Sequence, residues 1–381
     1  MNLKYIPLMV PVLILTSALT RPSAAMDGIV VTIKPIHSLV SSITKGISNP
    51  YLILRGAASP HTYSLRPSDA KKIHGAKLIF LIDDNLENFL AKSLKTLGRK
   101  ARIVTLSETK GLTELKYRSL EDITSSHKGH DDHKSHKGHD DHKSHKGHDD
   151  HKSHKGHDDH KGHKGHDDHK SHKGHDDHKG HKGHDDHKSH KGHDDHKGHK
   201  GHEGHHHGGT DLHLWLDPKN AIQFVHKIET VLKNADPKNS ETYSVNANQL
   251  RKQLNNLTKN ISSQLQLLEK RPFIVFHDAY QYYEKRFGLK ASGVITLNPE
   301  VPPGFKQVSK IRKELKGVGA ACIFQEPQFN QRIAKALARG TGTKVLSIDP
   351  LGAAIKPGPA MYVTLLGNIT TSFKNCLMNK K

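Results

Sequence analysis

The sequence predicts an α/β protein of two lobes, each with a central, mostly parallel sheet flanked by helices, the two joined by one long rigid helix. Three observations carry this expectation. Short apolar runs alternate with helical stretches in two separate segments, the pattern that surrounds parallel strands with helices. Between those segments, 237–270 holds no glycine and, after Pro237, no proline. The one long polar tract, a histidine repeat, falls inside the first segment and has nothing with which to build a core.

Residues 1–25 stand apart from the fold. Lys4 gives a modest positive start, an apolar run extends from Ile6 to Leu19, and Ser23-Ala24-Ala25 offers the small residues that signal peptidase accepts. The run is too short and too proline-interrupted for a good membrane span. No cysteine lies near the cleavage site, so no lipid anchor is expected and the mature chain is expected to be exported and soluble.

The first lobe is expected over 26–235. Strand-like runs lie at 29–33, 51–54, 77–82 and 102–105, with helical patterns from Pro35 and near 67–74 and 86–96. Asp217-Pro218 reads as an N-cap with proline at the first helical position, opening a helix to about Lys233. A linker helix is expected over 236–270, where Leu250, Leu254, Leu257, Ile261, Leu265 and Leu268 recur at helical spacing. The second lobe, 271–381, repeats the theme, with strands at 273–276, 289–295, 320–324 and 344–348 and helices near 279–286, 303–316, 328–339 and 359–375.

The insertion, 125–209, is unlike the rest. From His127 to His205 a histidine falls at every third position, 27 in all, and His206 and His207 extend the run. It holds no Leu, Val, Ile, Phe, Tyr or Trp, so it has no apolar surface to bury against the cost of ordering it. We read it as a disordered, metal-binding tract, with His127, His130, His133, His136, His139, His202, His205, His206 and His207 among its weak auxiliary ligands.

The net charge of +21 invites a nucleic-acid reading, but the insertion's 17 Lys, 16 Asp and one Glu cancel. The excess is dispersed over the remainder, with no arginine-rich run and no basic motif interleaved with aromatics. Solvated surface is the reading, and no nucleic-acid partner is expected. The two cysteines, Cys322 and Cys376, would meet an oxidising compartment in an exported chain, where a pair forms a disulfide. Closing that loop would contribute roughly 4 kcal/mol in the chain-entropy description. Two separate buried thiols are the alternative.

Six histidines lie outside the repeat. His61 follows the 51–54 strand, His213 precedes the 217–218 helix start, and His277 directly follows Phe273-Ile274-Val275-Phe276. Asp349 ends the strand Val345-Leu346-Ser347-Ile348 and belongs with them, because ligand-binding groups gather beyond the carboxyl ends of parallel strands. Three imidazoles and a carboxylate suit four-coordinate Zn2+; a Mn2+ site would be expected to use more oxygen donors. The alternative for each histidine is a structural residue satisfied by hydrogen bonds. His37, His74 and His226 read as packing, helix-terminal and mid-helix residues.

The stretches Ala58-Ser59-Pro60-His61-Thr62-Tyr63-Ser64-Leu65-Arg66-Pro67-Ser68-Asp69, His213-Leu214-Trp215-Leu216-Asp217-Pro218 and Phe276-His277-Asp278-Ala279-Tyr280 resemble the zinc-binding solute-binding proteins of ABC transporters, the ZnuA type. So do Asn298-Pro299-Glu300, Gln325-Glu326-Pro327-Gln328-Phe329 and Asp349-Pro350-Leu351-Gly352. The resemblance runs from about residue 28 to the C-terminus. It implies a periplasmic, non-enzymatic monomer that binds Zn2+ through His61, His213 and His277 and delivers it to an inner-membrane ABC permease. Asp349 or a water would complete the shell, and a disulfide in the second lobe would match Cys322–Cys376. A manganese or iron binder, a zinc-buffering adhesin and a zinc hydrolase are the alternatives; against the last, there is no His-Glu-x-x-His helix.

Overall fold

The computed structural model describes residues 26–119, 123, 209–266, 268, 271–297, 299 and 303–378. The expected signal peptide and nearly all of the histidine-rich insertion lie outside these residues.

Two four-stranded, wholly parallel sheets form the framework. The first comprises β1 (Ile29–Val31), β2 (Tyr51–Leu52), β3 (Leu78–Leu81) and β4 (Arg102–Thr105), in the order β2-β1-β3-β4. Its helices are α1 (Lys34–Ile43), α2 (Pro67–His74) and α3 (Asn88–Leu97). After the insertion, the 3-10 turn Leu214–Leu216 leads into α4 (Pro218–Ala235), and α5 (Ser240–Leu265) follows. The second sheet contains β5 (Phe273–His277), β6 (Gly293–Thr296), β7 (Cys322–Gln325) and β8 (Lys344–Ser347), in the order β6-β5-β7-β8. It carries α6 (Gln281–Phe287), α7 (Phe305–Val318), α8 (Arg332–Ala338) and α9 (Met361–Leu377).

Each sheet reverses strand order once, between β1 and β3 and between β5 and β7, which opens a crevice at the strands' carboxyl ends. β5 is buried throughout, as expected of an apolar run inside a parallel sheet covered on both faces. The Asp217 side chain accepts from the Lys219 backbone N–H at 2.8 Å, with Pro218 at the first helical position, so the helix start legible in the sequence is present.

Two boundaries differ from expectation. The long helix has 26 residues rather than about 34, spanning about 39 Å at 1.5 Å per residue. Pro237–Asn239 forms a separate 3-10 turn, and Asp236 accepts from Asn239 Nδ2 and from the Tyr243 hydroxyl, tying the corner before α5 to the helix's first turn. β6 begins at Gly293 rather than 289, because α6 ends at Gly288 with φ 71° and the Ala291 N–H is drawn to the Glu284 carboxylate.

α5 is more than a connector. Its buried Leu250, Leu254, Ile261 and Leu265 join one continuous apolar core that reaches from Val30 and Phe80 in the first sheet to Phe273 and Phe324 in the second. A smaller core on the second sheet's other face packs Ile274, Phe276 and Ile323 against Ile311, Leu315 and Leu337. Polar ties join the halves too. Lys34 Nζ donates to the carbonyls of Gly352 and Ala353 at 2.8 and 2.7 Å, and Arg286 clasps the Asp217 carboxylate. The expected disulfide is present: Cys322 in β7 is bonded to Cys376 in α9, with Cα atoms 5.8 Å apart.

Candidate metal centre

The three histidines singled out in the sequence converge. His61 lies in the loop after β2, His213 heads the 3-10 turn before α4, and His277 is the last residue of β5. One ring nitrogen from each lies within 4.8 Å of the others. His213 and His277 are buried, and His61 is partly exposed. Trp215, Phe329, Pro350 and Leu351 make an apolar wall around them, which holds water back and strengthens electrostatic interactions inside.

Hydrogen bonding fixes two of the rings. His213 Nδ1 is 2.8 Å from Asp211 Oδ1, and His277 Nδ1 is 2.7 Å from Glu326 Oε1. Each carboxylate is an acceptor, so each Nδ1 carries the proton and each Nε2 presents its lone pair. Those two Nε2 atoms face one another at 3.2 Å. Two lone pairs so placed repel unless a cation or a proton sits between them. Tetrahedral Zn2+ with nitrogens at about 2.0–2.1 Å separates its ligands by about 3.3 Å, so the spacing matches. His61 completes the group, its ring centroid 5.9 Å from each of the other two.

The electrostatics of the three rings differ. Burial, and then the neighbouring His213 and His277 rings, lower the His61 pKa to about 3, so it is neutral at any physiological pH. Burial alone would lower that of His277 as well, but the Glu326 carboxylate outweighs it and holds the pKa above the ordinary histidine value.

Asp349, expected with or in place of a water as the fourth ligand, stands apart from the three rings. Its carboxylate is not part of the cluster among the described residues. It accepts instead from the backbone N–H groups of Leu351 (3.0 Å), Gly352 (2.9 Å) and Ala353, and from Gln328 Nε2 (2.8 Å). A carboxylate followed closely by a tight turn is satisfied most economically by its own loop. Its contribution is to shape the 349–353 turn, which brings the Pro350 carbonyl to Trp215 Nε1 at 2.8 Å. Three site residues were missed by sequence reasoning: Asp211, Glu326 and Arg118. The first two carried a signal, an acid two residues before His213 and an acid just beyond β7. Arg118, which bonds Asp278 and Glu284, carried none.

The remaining histidines keep their structural readings. His37 Nε2 is 3.0 Å from the Pro50 carbonyl, His74 ends α2, and His226 lies within α4. The auxiliary histidines from His127 to His207 lie outside the described residues.

Two parallel sheets bridged by a long helix thus gather three histidines into one cluster. The family profile described as "Zinc-uptake complex component A periplasmic", ZnuA, matches residues 29–376. The high-affinity zinc uptake system protein ZnuA of Brucella abortus (strain 2308) is 42% identical over 351 residues, covering 92% of each chain. Its namesake from Haemophilus influenzae is 36% identical, covering 94% of this chain and 95% of the relative. Among solved structures, a ZnuA deletion mutant with zinc bound superposes with a TM-score of 0.63 at 17% identity, covering 93% of this chain and all of the other. The chain belongs to the ZnuA family.

The carboxylate partners lead to a test. Removing the charge but not the shape, as in Glu326→Gln or Asp211→Asn, should weaken Zn2+ binding about 10–100-fold, because the partner of a metal-binding imidazole sets its tautomer and basicity. Competition against a chromophoric chelator reads this, and unchanged affinity in both variants would remove these carboxylates from the site.

Proposed function

We propose that His61, His213 and His277 together hold one Zn2+ ion, which this periplasmic zinc-uptake component captures and hands to a membrane permease. The observation that carries the reading is the pair of Nε2 lone pairs 3.2 Å apart, each ring locked by a carboxylate on its far side. All three donors are imidazole nitrogens, which favours Zn2+ over the oxygen-preferring Mn2+, and a water fills the fourth position. Binding involves no chemistry on a substrate, and the protein acts as a monomer without nucleic acid. Residues 1–25 act as a cleaved signal peptide. Among the described residues no helix is long and apolar enough to cross a membrane.

The two lobes, 26–235 and 271–381, act as a nearly fixed cage. The shared apolar core resists wide opening, so loading and release work through the ligand-bearing loops. The insertion then serves as a collector of scarce metal. A Zn2+ titration followed through Trp215, the chain's one tryptophan, tests the core of this. The Trp215 ring lies 5.4 Å from that of His213. One tight site should survive deletion of 127–207. Loss of all binding would leave a zinc buffer whose repeat does the work.

A further inference from the structure

The two ends of the described chain that flank the insertion meet beside the metal centre. Lys116 and Thr210 form an antiparallel bridge; the Tyr117 N–H donates to the Gly209 carbonyl at 3.1 Å and the Asp211 N–H to the Leu115 carbonyl at 2.7 Å. This two-stranded neck is gripped from the second sheet's side. The Tyr282 hydroxyl donates to the Asp211 carbonyl at 2.7 Å and accepts from the Leu115 N–H at 3.1 Å, while Gln281 Nε2 donates to the Lys116 carbonyl and to Asp211 Oδ2.

Arg118 is the strongest of these ties. Its Nε donates to Asp278 Oδ2 at 2.9 Å, its Nη2 pairs with Asp278 Oδ1, and its Nη1 reaches Glu284 Oε2 at 2.8 Å. Both carboxylates are almost fully buried, and the Arg118 side chain is only 14% exposed. A bidentate fork of this kind fixes direction as well as distance. Asp278 is the residue after His277, so what holds its carboxylate also holds the backbone that aims the His277 ring. On the neck's other strand Asp211 holds the His213 ring. The two imidazoles that face one another therefore belong to one network, closed across the crevice by Arg118.

We propose that Arg118 is a positioning residue for the metal centre: it fixes Asp278, and through it His277, at the separation from His213 that a bound ion requires. The inference rests on His61, His213 and His277 being the ligands. In their absence of restraint the two buried carboxylates would repel and the crevice edge would relax, loosening the hold on the ion more than its access.

The test uses the full chain with free metal held low by a chelator, so that only the tightest site fills. Arg118→Met keeps the length and apolar bulk of the side chain but removes the fork. Its Zn2+ dissociation rate, followed through Trp215, should rise about tenfold or more, with the association rate nearly unchanged. Bound Co2+ should show altered d–d bands, reporting a displaced ligand. Arg118→Lys, which restores the charge without the bidentate geometry, should fall between Met and Arg; should Arg118→Met not fold, this variant carries the test alone. Arg251→Met is the control: it breaks the Arg251–Glu229 pair between α5 and α4 and should lower thermal stability without touching rate or spectrum. An Arg118 variant with unchanged dissociation rate and Co2+ spectrum, beside a wild type that binds tightly, would overturn this inference alone. A wild type without any tight phase at Trp215 would overturn the ligand assignment with it.

Discussion

His277→Ala should lower Zn2+ affinity by roughly a thousandfold. Apparent zinc-binding free energies of about 10–16 kcal/mol in four-ligand structural sites imply about 2.5–4 kcal/mol per ligand, and a thousandfold loss matches the upper end of that range. This substitution also leaves Glu326 buried beneath the lost ring, since the His277 Nδ1–H is its close partner. An unpaired carboxylate in such a place is costly. The measurement is a competition titration of the full chain with Trp215 as reporter, so that weak binding by the histidine repeat does not hide the loss. A tight phase of wild-type strength in the variant would show that the ligands lie elsewhere.

Acidification should release the metal, and His277 should set where release begins. Its pKa stands above the usual histidine value of about 6.5 because the Glu326 carboxylate outweighs the effect of burial. Zn2+ must therefore displace a proton from it below that raised value, and affinity should fall by about tenfold or more per pH unit there. His61, with a pKa of about 3, remains neutral throughout this range and adds nothing to the slope. For the metal-free protein the sign is reversed. A raised pKa makes the protonated His277–Glu326 pair stabilising below the unfolded value of about 6.5, and that stabilisation is lost as pH rises through the folded value. The metal-bound form should thus lose stability on mild acidification while the metal-free form gains from this pair. Isothermal titration and thermal melts between about pH 5 and 8 read both trends. An affinity independent of pH would contradict proton competition at this ring.

Much of this was legible in the sequence, and what was not has physical causes. Eight apolar runs gave eight strands, and the Asp217-Pro218 signal gave a helix start in the right place, because propensity and tertiary packing agree there. α5 is shorter than the apolar periodicity predicts at both ends, beginning at Ser240 and stopping at Leu265, and the Asp236–Asn239–Tyr243 side-chain contacts that mark its start leave no trace in that periodicity. The three histidines stood out because imidazoles at strand ends and helix starts face a common crevice. Asp349 has the same strand-end placement, yet its oxygens turn back onto backbone donors of its own loop, a choice that depends on turn geometry. Arg118 was hidden for another reason: its partners Asp278 and Glu284 are distant in sequence, and nothing local distinguishes it from the many dispersed cations on this basic chain.

The three arms of the cage are unequally supported. His213 and His277 are backed by buried carboxylates, whereas His61 rides on a loop, and its ring nitrogens meet no carboxylate among the described residues. On the proposed ligand set, unloading would be a matter of one arm letting go while the other two stay in place. A recipient that nudges that single surface segment could take the ion without prising the molecule apart, and would leave behind a receptacle already set for the next one.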